Sequence, residues 1–364
     1  MLTLEKRLTN EPPRAGRTLV EDVSGPGKRA ASPLIAWWRR RRVLETPTAT
    51  IYFAGPMAGL IGRPGDRARP IWRLGPNVYH RHGPDPHTVV LRSFDFRTRA
   101  AMASHGPARL HYVIDDDVHA GADEPDLPVR YRKRLARLRD GVMSRMLAHA
   151  QHVYAASEHL ADRLTALNGT VEEIRPALAA PVADLLHHDD GPLHLVFPGT
   201  RSHLADLEAV AGDVRRFLQL RPQAMLTTWL GDAAPDALRL PNAVHHRGLD
   251  WPGFRAVLRT RRFHIALLPA RPTAFNAARS HNKVLECACL GAAPLVGRAM
   301  PYADLVRDAS SGTVVEADGW LGALSRLDED RASLRRQAEA NRALALRIGG
   351  PERLLHFWSD RLGL

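Results

Sequence analysis

Short runs of β-branched and aromatic residues alternate with polar, helix-forming segments along most of the chain. In the first half, the runs TATIYFAG, TVVLRSF, RLHYVIDDD and HVYAAS are predicted to be strands. Residues 129–150 and 157–167 have the spacing of amphipathic helices. Ser157 is placed to cap the second of these helices, and Asn168-Gly169 to end it.

The same alternation restarts after a connector at residues 177–192. Strands are predicted for LHLVFPG, AMLTTWLG, AVHHRG, FHIALLPA and AAPLVG. Helices are predicted over 203–220, 252–260, from about 280, and over 301–308, 319–327 and 329–346, with a last amphipathic helix in PERLLHFWSDRLGL. Strands that alternate with helices favour parallel sheets covered on both faces.

The predicted fold class is therefore α/β, with two Rossmann-like parallel-sheet domains that face a cleft. Residues 1–47 are expected to be a basic flexible segment, 48–180 an N-terminal Rossmann-like domain and 190–346 a C-terminal Rossmann-like domain. Residues 347–364 would form a helix that packs back across the cleft. Ligands of open parallel sheets bind outside the carboxyl ends of the strands, so the cleft is the expected site.

The charge of the chain narrows the choice of partners. The 364 residues carry a formal net charge of +12, which favours anionic partners: phosphorylated small molecules, acidic membrane surfaces or nucleic acid. Nucleic acid is disfavoured because the charge is spread along the chain and no nucleic-acid motif is present. A dehydrogenase is disfavoured because no Gly-x-Gly-x-x-Gly follows a predicted strand.

Trp37 and Trp38 precede four arginines in the basic N-terminal segment. This segment could lie on an anionic lipid surface, or it could be a solvated tail with one hydrophobic anchor. The two cysteines, Cys287 and Cys289, sit two apart on a predicted buried helix, where a bridge between them is disfavoured. A reducing cytoplasm fits this composition, and no secretory or membrane-spanning run is present.

Three charges stand at the head of the apolar segment RSHNKVLECACLG, residues 279–291. Arg279, Lys283 and Glu286 are three or four residues apart, which on a helix places them on one face. A helix start with Arg and Lys suits a diphosphate, and either Asn276 or Ser280 could cap it. Glu286 would be costly to bury without a partner. That partner would be a ligand hydroxyl or, alternatively, Lys283 itself.

The region from 263 to 320 resembles the donor-binding half of retaining GT-B glycosyltransferases that use nucleotide-diphospho-sugars. The matching residues are Phe275-Asn276, Arg279-Ser280, Lys283, Leu285-Glu286, Gly291, Pro294, Pro301-Tyr302, Gly312 and Trp320. The resemblance covers roughly residues 193–346 and is faint before 150. It implies that residues 190–346 form the nucleotide-sugar domain and residues 48–180 the acceptor domain. It implies that Glu286 holds the donor ribose, that Arg279 and Lys283 stabilise the departing diphosphate, and that Asn276 and Ser280 belong to the same donor site.

One position departs from the resemblance. Many members of the group carry a second glutamate, near the donor sugar, at the position of Ala278. Backbone amides or Asn276 would have to replace it. A non-catalytic scaffold that binds a nucleotide or glycan is therefore an alternative to the transferase.

Two further segments supply candidate site residues. Gly199, Thr200 and Arg201 follow a predicted strand, where Gly199 permits close backbone approach and Arg201 could reach a diphosphate or lie on the surface. Asp115 and Asp116 end another strand. They are candidates for contact with the acceptor or donor sugar, or they cap the next segment or pair with arginines such as Arg92.

The expected reaction needs no cofactor beyond the nucleotide-sugar co-substrate. The resemblance implies that the anomeric configuration is retained. Because cationic side chains are available to neutralise the leaving group, we expect that no metal ion is required. The acceptor would be a glycan or a lipid-linked glycan.

Overall fold

Two β-sheets flanked by helices organise the part of the chain described by this computed structural model, residues 45–189 and 191–364. The described residues belong to a single compact unit. The two-sheet α/β architecture confirms the predicted fold class. The predicted boundaries of the domains stay predictions, and the Trp37/Trp38 segment lies outside the described residues.

The first sheet has seven strands in sequential order. They are β1 (Ile61–Gly62), β2 (Ile71–Gly75), β3 (Val78–Arg81), β4 (His87–Leu91), β5 (Arg109–Ile114), β6 (His152–Ala155) and β7 (Val171–Glu173). Strands β4 to β7 pair in parallel, whereas β3 is antiparallel to both of its neighbours. The sequence reading missed the β2–β3 hairpin, so this sheet is mixed rather than wholly parallel.

The helices of the first half surround this sheet. They are α1 (Pro47–Ala49), which continues as a π-helical turn (Thr50–Ala54), α2 (Phe96–Ser104), α3 (Val118–Asp123), α4 (Val129–Leu138), which continues through a π-helical turn (Arg139–Met143) into α5 (Ser144–His149), and α6 (Glu158–Asn168). Ser157 caps α6 through its hydroxyl and Gly169 ends it, as predicted.

The second sheet has six parallel strands in the order β10-β9-β8-β11-β12-β13. They are β8 (His194–Phe197), β9 (Met225–Thr228), β10 (Ala243–His245), β11 (Ile265–Leu268), β12 (Ala293–Gly297) and β13 (Thr313–Val315). This is the strand order of a Rossmann fold, in which the order reverses between the first and fourth strands. The reversal here lies between β8 and β11.

Residues 191–364 contain eight α-helices. They are α7 (Leu204–Leu220), α8 (Trp251–Thr260), α9 (Ala274–Ala277), α10 (Asn282–Leu290), α11 (Ala303–Asp308), α12 (Trp320–Glu329), α13 (Arg331–Gly349) and α14 (Pro351–Leu362). All of the helices predicted for this half are present. None of the helices among residues 45–189 and 191–364 is long and apolar enough to cross a membrane.

The run TATIYFAG, predicted as a strand, is helical instead. Thr46 caps this helix through its hydroxyl, and Pro47 occupies its first turn. Ile51, Tyr52 and Phe53 are all buried, so the run has no solvent-facing side to give it a helical period. A short apolar run buried on every side reads the same in a strand and in a helix, which explains the error.

The last helix, α14, packs against the first sheet and the helical turn beside it. Trp358 is fully buried, and its ring lies edge-on to Phe53 and Tyr154 at centroid distances of 5.0 and 5.3 Å. Its indole N–H donates to the carbonyl oxygen of Tyr52 at 2.7 Å. The C-terminal helix thus packs against residues of the first sheet and of the π-helical turn Thr50–Ala54.

Candidate functional site

The Lys283–Glu286 pair occupies the start of α10, beside the carboxyl end of β8. Glu286 is 3% exposed and accepts hydrogen bonds from Lys283 Nζ at 2.6 Å and Asn282 Nδ2 at 2.8 Å. Lys283 Nζ also donates to the carbonyl oxygen of Pro198 at 3.0 Å. Pro198 directly follows β8 at the point where the strand order of the second sheet reverses. The structure therefore contains the internal ion pair foreseen as an alternative partner for Glu286.

Arg279 lies before α10 rather than on it, because the helix begins only at Asn282. Its Nε donates to Asn276 Oδ1 at 2.8 Å, and its Nη1 donates to His203 Nε2 at 2.9 Å. The guanidinium also lies over the ring of Phe275, with its carbon 4.8 Å from the centroid. The expectation that Arg279 shares one helix face with Lys283 and Glu286 is wrong.

The predicted cap of α10 is wrong as well. His281 occupies the N-cap position without a side-chain capping bond. Asn276 belongs to the preceding helix α9, which Thr273 caps. The hydroxyl of Ser280 accepts a 3.2 Å hydrogen bond from the Tyr52 hydroxyl, which connects it to the first half of the fold.

A buried polar chain behind Arg279 was not predicted from the sequence. Asp206 is 4% exposed, and its Oδ1 accepts from Asn276 Nδ2 at 2.9 Å and from the backbone N–H of Arg271 at 3.0 Å. His203 Nδ1 lies 3.7 Å from Asp206 Oδ2. Burial and the nearby Arg279 lower the pKa of His203 to about 4, so its ring is neutral and accepts from Arg279. The segment from His203 to Asp206, directly after the Gly199 loop, is the part of the sequence from which this polar chain could have been predicted.

Three donors of this region are buried without a hydrogen-bond partner among the described residues: the Nη2 atom of Arg279, the Nε atom of Arg271 and the hydroxyl of Tyr302. The Nε of Arg271 lies 3.7 Å from Asp206 Oδ1. Burial raises the pKa of the Tyr302 hydroxyl further above its ordinary value, so it stays protonated as a donor. Unpaired buried donors are costly, and the oxygens of a phosphate or a sugar could satisfy them.

The Gly199-Thr200-Arg201 loop follows β8 and leads into α7. Gly199 is buried, and a Cβ there would approach the ring of Phe197 to 2.4 Å. Thr200 Oγ1 lies 2.9 Å from Ser202 Oγ. Arg201 is exposed and forms no side-chain hydrogen bond or ion pair with the described residues, and no contact ties it to the Lys283–Glu286 pair.

A second charged network lies at the carboxyl ends of β4 and β5. Arg92 Nη1 donates to Asp115 Oδ1 at 2.6 Å and to Asp116 Oδ2 at 2.7 Å. Asp115 Oδ2 also accepts from the Thr48 hydroxyl at 2.5 Å, and Asp116 Oδ2 from the Tyr131 hydroxyl at 3.1 Å. Both aspartates thus make the arginine pairing foreseen as an alternative to sugar contact. Neither caps the next helix, since Asp117 caps α3.

The two charged networks influence each other. Burial alone would raise the pKa of Asp116, but the guanidinium groups of Arg92 and Arg279 and hydrogen bonds from Arg92 and Tyr131 lower it to about 2. Asp116 is therefore ionised at neutral pH. Outside both networks, the Ser157 hydroxyl at the start of α6 donates to the carbonyl oxygen of Ala278, next to Arg279, at 2.7 Å.

Two cavities of about 310 and 420 Å³ lie away from this region. The first is lined by residues around α1 and by Arg73, Tyr79 and Arg255, and the second by residues of β13, α12 and α13. Neither contains Arg279, Lys283 or Glu286. The candidate site is therefore formed by the charged groups at the strand ends and not by either cavity.

Within residues 45–189 and 191–364, no three His, Cys, Asp or Glu side chains are arranged to hold a metal ion.

Comparison with known proteins identifies the fold. No protein-family model and no curated sequence matches the chain. Solved structures do match. HepE from Anabaena in complex with UDP and glucose is 13% identical over 76% of this chain and 77% of its own, with a TM-score of 0.51. Sucrose-phosphate synthase from Thermosynechococcus elongatus is 12% identical over 72% and 69%, with a TM-score of 0.51.

TarM is similar at 11% identity over 71% of this chain, with a TM-score of 0.52, although the match spans only 51% of TarM. The chain therefore has the GT-B glycosyltransferase fold. At these identities the likeness establishes the fold and leaves the activity to be argued from the site.

Proposed function

We propose that the chain transfers a sugar from a nucleoside-diphosphate sugar to an acceptor hydroxyl. The observation that carries the proposal is the position of Lys283, which bonds to Pro198 at the strand-order reversal of the second sheet. This is where open parallel sheets bind nucleotides. The structure of HepE with UDP and glucose, a protein of the same fold, is consistent with such a donor.

In this proposal the cations neutralise the leaving diphosphate. Lys283 and the unpaired Nη2 of Arg279 would donate to its oxygens. Both groups are already held in position, Lys283 by Glu286 and the carbonyl of Pro198, and Arg279 by Asn276 and His203, as electrostatic stabilisation requires. With cations in this role, transfer would need no metal ion. Arg201 could swing onto the same phosphates, since it has no competing partner among the described residues.

Glu286 would hold the ribose of the donor. In the structure its two oxygens accept from Lys283 and Asn282. Each carboxylate oxygen has two lone pairs, so ribose hydroxyls can add to these bonds without displacing them. Lys283 and Asn282 would then fix the direction of the carboxylate.

Asp115 and Asp116 would face the sugar and the acceptor from the first half of the fold. Asp116 is ionised, and the field of Arg279 reaches it from the donor side. A carboxylate in that position can orient an acceptor hydroxyl, although its low pKa makes it a weak base. The proposed transfer retains the anomeric configuration, as the resemblance implies, and we assign no residue as a covalent nucleophile.

Thermal-shift measurements with UDP, GDP, ADP and dTDP test the donor site. A nucleotide that binds the folded chain raises its melting temperature by mass action. Glu286→Gln should remove this shift, whereas Glu208→Gln, at an exposed position of α7, should preserve it. If none of the nucleotides shifts the melting temperature of the wild-type chain, the proposal is wrong.

A non-catalytic scaffold is the second candidate function, and Ala278 favours it. Ala278 is 1% exposed, its backbone N–H donates to the carbonyl oxygen of Asn276, and its carbonyl oxygen accepts from the Ser157 hydroxyl. No side chain there can reach the donor sugar as the glutamate of related transferases would. Release of free UDP from UDP-sugars, measured with and without glycan acceptors, separates the two functions. A transferase produces free UDP, whereas a scaffold binds the UDP-sugar without cleaving it.

A further inference from the structure

The exposed face of α4 is formed almost entirely by cations. Arg130, Lys133, Arg134 and Arg137 follow the i, i+3, i+4, i+7 spacing of one helix face and are all exposed. With a rise of about 1.5 Å per residue, they cover roughly 10 Å of the helix. The opposite face carries Leu135, which is fully buried.

None of these four cations forms a hydrogen bond or an ion pair with the described residues. The aspartates near them in sequence pair with other arginines: Asp126 with Arg271, and Asp123 and Asp140 with Arg139. Like charges at i, i+4 destabilise a helix. A row of uncompensated cations is therefore a cost of the fold that an external anion would remove.

The cationic face is connected to the candidate site through Tyr131. The guanidinium carbon of Arg134 lies 4.8 Å from the centroid of the Tyr131 ring. The hydroxyl of the same tyrosine bonds to Asp116 at 3.1 Å. One side chain, that of Tyr131, therefore separates Asp116 from Arg134 in the cationic face.

We propose that the acceptor is a polyanionic chain, with repeated phosphate or carboxylate groups that bind along Arg130, Lys133, Arg134 and Arg137. This inference rests on the proposed function, because it takes the Asp116 side of the site as the acceptor side. It names the charge of the acceptor, which the transferase proposal leaves open.

The composition of the face favours a polyanion in solution over a membrane. Val129 is the one apolar residue among the exposed positions of Val129–Leu138, at 56% exposure. Helices that bind membranes insert a broad apolar face between the lipids, and α4 turns its apolar face into the protein core instead. Electrostatic contact with a flexible anionic chain needs no such insertion.

Binding of fluorescently labelled inorganic polyphosphate, measured by anisotropy over a range of salt concentrations, tests the surface. We expect the combined variant Arg130→Gln, Lys133→Gln and Arg137→Gln to weaken binding about tenfold, and to reduce the slope of log K against log salt by about 2 to 3. Arg134 is kept, because it packs on Tyr131.

The matched control removes the same number of charges elsewhere. Arg336, Arg342 and Arg347 on α13 are also exposed and unpaired among the described residues, but they do not share one helix face. Their combined change to Gln should weaken polyphosphate binding by less than about twofold. Equal losses in the two variants would show that net charge alone attracts the polyanion, and would overturn the proposal.

Two further measurements separate the remaining outcomes. If the α4 variant loses binding to phosphatidylglycerol vesicles but keeps its affinity for polyphosphate, α4 is a membrane surface and the proposal is wrong. Polyphosphate should also slow hydrogen exchange in α3 and α4, next to Asp116. Protection confined to residues 1–44 would likewise contradict the proposal.

Failure of the proposed function would be seen separately. The α4 variant should keep the nucleotide-induced thermal shift of the wild-type chain, because no α4 cation contacts the donor side. If the wild-type chain shows no nucleotide shift while the α4 variant still loses polyphosphate binding, α4 binds polyanions but the chain is not the proposed transferase.

Discussion

Lys283 Nζ lies 2.6 Å from Glu286 Oε2, and this ion pair stands at the one point of the second sheet where the strand order reverses. The carboxylate side chain is 4% exposed and the lysine side chain 21%. A charge as buried as Glu286 depends on its partner, because removing one member of a buried pair leaves the other desolvated and uncompensated. The pair thus stabilises α10 and is also part of the proposed donor-binding site.

The dependence of Glu286 on Lys283 can be measured directly. We expect Lys283→Met to destabilise the fold by about 3 kcal/mol, and the double variant Lys283→Met, Glu286→Gln to recover more than half of that loss. Urea unfolding of the single and double variants gives the coupling free energy. Additive losses would mean that the ion pair contributes nothing to the stability of α10.

The low pKa of Asp116 should appear as acid sensitivity. Its pKa is about 2 in the folded chain, below the ordinary value of 3.8, so ionised Asp116 stabilises the fold above about pH 4. This contribution, on the order of 2 kcal/mol, is lost as the pH falls from about 4 to about 2. Urea midpoints across this range should fall less steeply for Asp116→Asn than for the wild-type chain. Parallel pH profiles would contradict the pairing with Arg92.

His264 should give a second pH dependence at higher pH. Its Nδ1 accepts from the backbone N–H of His194 at 3.0 Å, and its Nε2 donates to the carbonyl oxygen of His187 at 2.9 Å. Burial and neighbouring cationic groups lower its pKa to about 3, so the neutral ring stabilises the fold above about pH 6.5.

This stabilisation should decline progressively as the pH falls below about 6.5, because His264 then becomes protonated in the unfolded chain while it stays neutral in the folded chain. His264→Gln keeps an acceptor and a donor but cannot titrate. Its unfolding free energy should therefore vary less than that of the wild-type chain between about pH 6.5 and pH 4. An unchanged pH profile would assign the effect to other groups.

Gly121 controls the contact between α3 and α9. A Cβ at this position would meet Leu135 Cδ1 at 2.6 Å and Phe275 Cε2 at 2.7 Å. We expect Gly121→Ala to destabilise the chain by about 1–3 kcal/mol, because the two side chains must move.

Gly212 on α7 is the matched control, since a Cβ there would meet nothing within 4 Å. Gly212→Ala should stabilise the chain by up to about 1 kcal/mol through helix propensity. Thermal or urea unfolding of both variants checks the pair. If Gly121→Ala is as well tolerated as Gly212→Ala, α3 does not pack against Phe275 as described.

Much of the fold could be read from local sequence. The second sheet and its helices follow from apolar runs bounded by Gly, Pro and polar residues, and α6 follows from Ser157 and Gly169 at its two ends. These signals are local, because caps and turns act within a few residues. The mixed part of the first sheet carries weaker signals, and TATIYFAG carries an ambiguous one.

The candidate site divides in the same way. The sequence by itself determined the identity and order of Arg279, Lys283 and Glu286, and the spacing of three residues indicated a Lys283–Glu286 pair as the alternative to ligand contact. Only the tertiary structure decided that α10 starts after Arg279, which turns that side chain towards His203 and Asn276. His203 and Asp206 come from a segment some 70 residues away, and no local pattern encodes such a contact. The physical reason is that a helix period fixes neighbours along one element, whereas burial of polar groups between elements depends on how the whole sheet brings those elements together.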